Sequence, residues 1–260
     1  MSKSIIITGF HAVQAQLESN PECFIKVFTL SKRCDKRLNT LASEFNNFGI
    51  SVQQCTKIQL DKLSNHQPHQ GVAAEILLPA LPNQDELISY MSKLNNTGLI
   101  LILDSIQDPR NLGACLRSAN AAGVDCVVIN KDGSAPINAL VHKTSAGALN
   151  QLKIFQVTNL SRTIKALQQQ NIWVIGLDGS ANTSIYQIDL TTPNAIIMGA
   201  EGSGLRRLTK QSCDQLAKIP MQGKVESLNV SVATGVTLFE VNRQRLLLDS
   251  RHVNIAHIFG

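Results

Sequence analysis

The sequence is short of aromatic side chains: one Trp, two Tyr and eight Phe make up 4% of 260 residues. An extended platform for stacking nucleic-acid bases is therefore not expected. The six cysteines (Cys23, Cys34, Cys55, Cys115, Cys126 and Cys213) include no Cys-x-x-Cys pair. That pattern argues against a disulfide-dense scaffold and a closely spaced zinc site; reduced, mostly buried thiols and no metal are expected. No apolar run nears the roughly 20 residues that span a bilayer, so no membrane association is expected. Met1-Ser2-Lys3-Ser4 leads into a strand-like stretch and not into a signal peptide, which points to a cytoplasmic protein. A strong excess of one charge is also missing: 24 basic and 19 acidic residues give +5. The excess is spread, with 8 basic against 6 acidic in the first 78 residues and 15 against 11 in residues 98–260. Such a balance permits an anionic partner without demanding one.

What is present is hydrophobic content, 43% of the chain, enough for a real core in one large or two ordinary domains. Residues 1–78 alternate short elements. Ile5-Ile6-Ile7, Phe24 to Leu30, a run starting at Val52, and Gly71 to Leu78 read as strands. His11 to Leu17, Leu38 to Phe45 and Ile58 to Leu63 have helical spacing. Pro79 and Pro82 then mark residues 79–97 as a linker, with a helix from Asp85 to Leu94 leading onward. From Gly98 the strands become fully apolar: Leu99 to Leu103, Cys126 to Ile129, Trp173 to Leu177 and Ala195 to Met198. Alternating with helices such as Leu160 to Gln168, they predict an α/β fold with a parallel sheet covered on both faces.

Ligands of such sheets gather at the carboxyl ends of the strands. Three segments there are unusual. In the first, Asp108-Pro109 signals a helix start, an N-cap followed by proline at the first helical position. Leu112, Leu116, Ala119 and Gly123 then share a packing face, which leaves Asn111 and Arg117 without a structural reason. The second is Gly199-Ala200-Glu201-Gly202-Ser203-Gly204-Leu205. Its Gly-x-x-Gly-x-Gly spacing is not the dinucleotide fingerprint, and Glu201 would repel a phosphate, so a nicotinamide oxidoreductase is a poor match. The third runs from Ile219-Pro220-Met221 to Ser227-Leu228-Asn229. Either Ser227 or Asn229 is suited to cap an apolar helix extending to Leu247, expected to be buried up to Val241.

Taken in order, Asp108-Pro109-Arg110-Asn111-Leu112-Gly113 with Arg117, Gly199 to Leu205, and Ile219-Pro220-Met221 with Ser227 to Ala233 resemble the three motifs of the SpoU (TrmH-like) RNA ribose methyltransferases. The resemblance extends to His69-Gln70-Gly71-Val72-Ala73-Ala74 and leaves out only the last dozen residues. It implies a ribosomal-protein-like α/β RNA-binding domain over 1–78. It also implies a methyltransferase domain over 98–260 that carries a deep trefoil knot of the SPOUT type. A homodimer and the cofactor S-adenosylmethionine are implied as well. Carried over by motif, Gly199, Ile219 and Leu228 contact the cofactor, and Asn111, Arg117, Glu201, Ser227 and Asn229 form the catalytic neighbourhood. The implied reaction is methylation of the 2′-hydroxyl of a guanosine in 23S rRNA. Another rRNA nucleotide, tRNA, or a non-catalytic role in ribosome assembly stays open.

The densest basic run, Lys32-Arg33-Cys34-Asp35-Lys36-Arg37, is a candidate phosphate contact. Neutralising its four cations should weaken RNA binding and flatten the dependence of log Kd on log salt, measured by filter binding. An unchanged slope would remove the run from the footprint.

Overall fold

The computed structural model describes residues 3–31, 35–78, 80–93 and 98–256, and their side chains up to residue 248. In chain order the elements begin with β1 (Lys3–Thr8), α1 (Phe10–Ser19), β2 (Phe24–Leu30), α2 (Lys36–Asn47), β3 (Val52–Cys55), α3 (Lys57–Leu63) and β4 (Val72–Leu78). They continue with α4 (Gln84–Met91), β5 (Leu99–Asp104), α5 (Pro109–Ala121), β6 (Cys126–Asn130), α6 (Ala139–Thr144), α7 (Ala148–Gln151) and β7 (Ile154–Val157). The last are α8 (Leu160–Gln168), β8 (Trp173–Leu177), β9 (Asn194–Gly199), α9 (Arg207–Ser212), β10 (Gln215–Ala217) and α10 (Val230–Ala256). Two compact units result: Met1–Ala80 with Pro136–Gln151, and Leu81–Ala135 with Leu152–Gly260.

In the first unit four strands lie in the order β1-β4-β2-β3, with β4 antiparallel to both neighbours and β2 parallel to β3. Successive side chains point to opposite faces. Ile7, Val27, Ala74 and Ile76 therefore meet Val13, Leu17, Leu41 and Phe45 of α1 and α2 in one core. Phe28 and Ala73 meet Cys55 and Leu60 in another. The His69-Gln70-Gly71 turn ties the unit together. Gln70 Oε1 accepts the Phe10 N–H at 2.9 Å, and His69 pairs with Asp61 at 3.1 Å. Asp35 caps α2 by accepting the Arg37 N–H, while Lys32, Arg33 and Cys34 of the basic run lie outside the described residues. The excursion at Pro136–Gln151 falls within residues 98–260 of the chain yet groups here, because α6 packs on β1 and α7 on α1.

The second unit is a six-stranded sheet, order β10-β8-β9-β5-β6-β7, parallel throughout. Its central strand β5 is buried along its whole length. Ile100, Ile102, Val128, Val174 and Ile197 face a core with Leu160, Ile164 and Leu167 of α8. That core also takes Leu87 and Met91 of α4, so the helix in the 79–97 segment belongs to this unit. α10 packs against α5 and β9. Gly123 is not part of the α5 packing face; with φ +72° and an exposed position it ends the helix in the left-handed conformation. The burial expected for α10 also does not hold all round. Thr234, Thr237, Leu238 and Val241 are buried, whereas Val232 and Phe239 are about half exposed, at 51% and 53%. Apolar residues around the whole circumference thus serve two faces, one of them open. Four of the five described cysteines are buried and all five are free thiols. Among the described residues, no helix is long and apolar enough to cross a membrane.

His142 of α6 is buried, and its Nε2 has no hydrogen-bond partner among the described residues. Burial favours the neutral imidazole and pushes its pKa down to about 4. The folded pKa lies below the unfolded value of about 6.5, so the unfolded chain binds more protons between these limits. Stability is complete above about pH 6.5 and is lost as the pH falls toward 4, by roughly 3 kcal/mol at 1.4 kcal/mol per pH unit. Urea unfolding across this range should show that loss, and His142→Leu should flatten it.

Candidate active site

β5 and β9 end side by side, with Asp104 in register with Gly199. Asp108 caps α5, its side chain accepting the Arg110 N–H at 2.8 Å, and Pro109 occupies the first helical position. This cap fixes where Asn111 emerges in the first turn. The loop after β9 folds back on itself: the Ala200 N–H donates to Gly204 O at 3.1 Å and the Gly204 N–H to Ala200 O at 2.9 Å. Gly202 and Gly204 hold φ +76° and +65°, which L side chains rarely adopt. Gly199 serves a different need. A Cβ there would lie 2.2 Å from the Gly204 carbonyl carbon and 2.4 Å from the Leu205 nitrogen. The glycine spacing thus shapes the loop itself, and Glu201 is presented, exposed, near its tip.

Two hydrogen bonds join three separate segments. Asn111 Nδ2 donates to Glu201 Oε1, and Asn229 Nδ2 donates to Asn111 Oδ1 at 3.1 Å. Asn229 also caps α10: its Oδ1 accepts from the Ser231 N–H at 2.9 Å and the Ser231 hydroxyl at 2.6 Å. Of the two cap candidates the structure selects Asn229, and Ser227 stays exposed two residues upstream. Arg117 lies further along α5, exposed, with no ion pair or hydrogen bond to the other described site residues. Its guanidinium is therefore free to meet an anion. Ile219 and Leu228 are half-buried at the two ends of the segment that leads into α10. Among the described residues, none of the backbone groups from Ile219 to Leu228 pairs with another backbone group.

Four residues next to this surface, Asp104, Ser105, Asn130 and the exposed Arg206, were not singled out by sequence. Asp104 ends β5 fully buried; it pairs with Arg206 Nε at 2.6 Å and accepts the Arg206 N–H at 3.2 Å. Ser105, at φ +64°, donates its hydroxyl to Asp104 at 3.2 Å and its N–H to the buried Asn130 at 3.1 Å. The available signal was a carboxylate closing an otherwise wholly apolar strand, since a buried charge needs a partner.

Family models and relatives match this chain over most of its length. Residues 98–239 match the family model described as SpoU rRNA Methylase family, and residues 6–80 match that for RNA 2′-O ribose methyltransferase substrate binding. The chain is 48% identical over 240 residues to the 23S rRNA (guanosine-2′-O-)-methyltransferase RlmB of Vibrio parahaemolyticus, spanning 92% of this chain and 97% of that one. The protein of the same name from Haemophilus influenzae is 49% identical over 241 residues, spanning 92% and 98%. The fold resembles that of the SpoU methyltransferase AviRb of Streptomyces viridochromogenes solved with AdoMet, with TM-score 0.77, 21% identity and 94% and 91% of the two chains covered. A crystal structure described as an RNA 2′-O ribose methyltransferase aligns with TM-score 0.76 and 25% identity, over 94% and 89% of the chains.

The close approach at Gly199 is backbone against backbone, so an added methyl forces the loop to move. Gly199→Ala should lower stability by about 1–3 kcal/mol, read from urea unfolding, because overpacking of this kind has no flexible side chain to absorb it.

Proposed function

The chain belongs to the SpoU rRNA methylase family, and on that premise we propose that it transfers a methyl group from S-adenosylmethionine to the ribose 2′-hydroxyl of a guanosine in 23S rRNA. The observation that carries this reading is the meeting of Asn111, Glu201 and Asn229, one from each motif, beside the end of the central strand. The donor set suits the cofactor. A run of unpaired backbone N–H and C=O groups between half-buried Ile219 and Leu228 can hydrogen-bond an adenine edge while the aliphatic side chains cover its face. Gly199, Ile219 and Leu228 are the residues we assign to holding it.

S-adenosylmethionine supplies, when bound, a methyl group on a positively charged sulfur. The chain's own residues must hold the ribose in line with that methyl, while the proton that the hydroxyl loses passes to solvent. The guanidinium of Arg117 acts as a cation: it binds the ribose-phosphate and stabilises the developing alkoxide. Asn111 is held at both ends of its amide, by Glu201 and by Asn229, which fixes its orientation toward the ribose. Ser227, exposed at the same helix start, adds a hydroxyl to this neighbourhood.

Residues 1–78 are assigned to RNA capture, 79–97 to the link and 98–260 to methyl transfer, a division supported by the two family-model matches. We also assign this domain the deep trefoil knot that the family resemblance implies, in a sheet that has β10 at its edge and α10 packed on α5. The exposed apolar face of α10, with Val232, Phe239 and Leu246, supports a homodimer. A site for an adenosyl cofactor and rRNA fits a cytoplasmic enzyme that uses no metal.

Calorimetry should detect S-adenosylmethionine binding, and no affinity would leave an RNA-binding assembly factor as the reading. Cells lacking the protein should lose one 2′-O-methylguanosine from 23S rRNA; loss from tRNA instead would redirect the substrate. Arg117→Lys should slow single-turnover methyl transfer about 100-fold, the scale of one lost charge-stabilising donor. A near-normal rate would exclude a guanidinium-specific role. Phe239→Asp should convert a dimer to monomers in analytical ultracentrifugation.

A further inference from the structure

We infer that Asp104 is a positioning residue for the loop from Gly199 to Leu205, acting through Arg206; this rests on reading that loop as part of the cofactor site. Asp104 is 0% exposed, in a strand whose other five residues are hydrophobic. A carboxylate taken wholly out of water is costly, and an aliphatic residue would continue the strand at no such cost. The charge is matched by what surrounds it. Its two oxygens accept from the Arg206 N–H, from Arg206 Nε and from the Ser105 hydroxyl, at 3.2, 2.6 and 3.2 Å.

Asp104 holds both ends of the loop. At one end its backbone is the register partner of Gly199 across the β5–β9 pairing. At the other its side chain grips Arg206, the first residue after Leu205, by main chain and side chain together. Between these anchors the reciprocal Ala200–Gly204 hydrogen bonds close the turn that presents Glu201. The backbone beneath is held in turn. Ser105 keeps a left-handed conformation uncommon for a residue with a side chain, fixed by Asn130 below and Asp104 beside it. Such strain persists only where neighbours over-determine it, and here the neighbours are this same network. A Glu201 so placed meets Asn111 without searching, so the cost of ordering the loop is borne on folding and not on binding.

The test compares the full-length chain with Asp104→Asn, which keeps the shape and one acceptor but removes the charge and the second acceptor. Hydrogen exchange of the unliganded proteins, calorimetry with S-adenosylmethionine, and steady-state kinetics are measured together. Expected are at least tenfold faster exchange at the Ala200 and Gly204 amides and at least tenfold higher Kd and KM for S-adenosylmethionine. The KM for RNA should stay within twofold, and the urea midpoint should stay near that of the parent. Arg206→Gln should give the same pattern and replaces Asp104→Asn if that variant does not fold. Arg206→Lys, which keeps a cationic donor, should recover part of the affinity. Unchanged exchange and affinity would overturn the inference. So would a general loss of stability with both KM values rising together, since that marks a merely structural ion pair. If the parent chain binds no S-adenosylmethionine, the reading of the site fails, while the exchange comparison still decides whether Asp104 holds the loop.

Discussion

Burying a parallel sheet on both faces is the constraint from which the rest of the second unit follows. Every residue of β5 and β6 is buried. A strand in that position has no solvent-facing side on which to carry polar chemistry. Reactive groups can be placed only where the strands stop, and there the chain must satisfy backbone groups that the sheet no longer pairs. The tight turn after β9, the capped start of α5 and the capped start of α10 are three answers to that demand. The caps Asp108 and Asn229 and the self-paired Ala200–Gly204 turn each meet backbone groups there. Among the described residues, no backbone group from Ile219 to Leu228 pairs with another backbone group.

Much of the architecture was legible because the dominant signals are local. Phe24 to Leu30 and Leu160 to Gln168 were read at their observed limits, since a short stretch rich in β-branched and aromatic residues and strong helical periodicity are decided within a few residues. The short β7 and β10, and the helices α6 and α7, were not read. Strands of four and three residues carry too little pattern, and α6 and α7 take their place from packing on β1 and α1. The exposed side of α10 escaped for a related reason: a helix apolar all round looks the same whether its second face meets its own core or remains open.

The site was legible as a set of segments, not as a set of contacts. Nothing near Asn111 in the sequence indicates that its amide meets Glu201 on one side and Asn229 on the other, 90 and 118 residues away. Motif order supplied the candidates and tertiary geometry supplied the pairing. The network under the loop shows the limit most plainly. Asp104 looked like the end of a strand, and only its burial and its distance to Arg206 reveal a carboxylate that holds something in place.

The sequence separation of these contacts has a consequence for synthesis. Asp104 meets Arg206 across 102 residues, and Asn111 meets Asn229 across 118. At translation rates of about 5–20 residues per second, the interval between making the first and last of these groups is roughly 6–25 s. For about 5–20 s of it the emerging chain has Asp104 but not the Arg206 that pairs with it. The order of synthesis therefore keeps Asn111, Glu201 and Asn229 apart until α10 has begun.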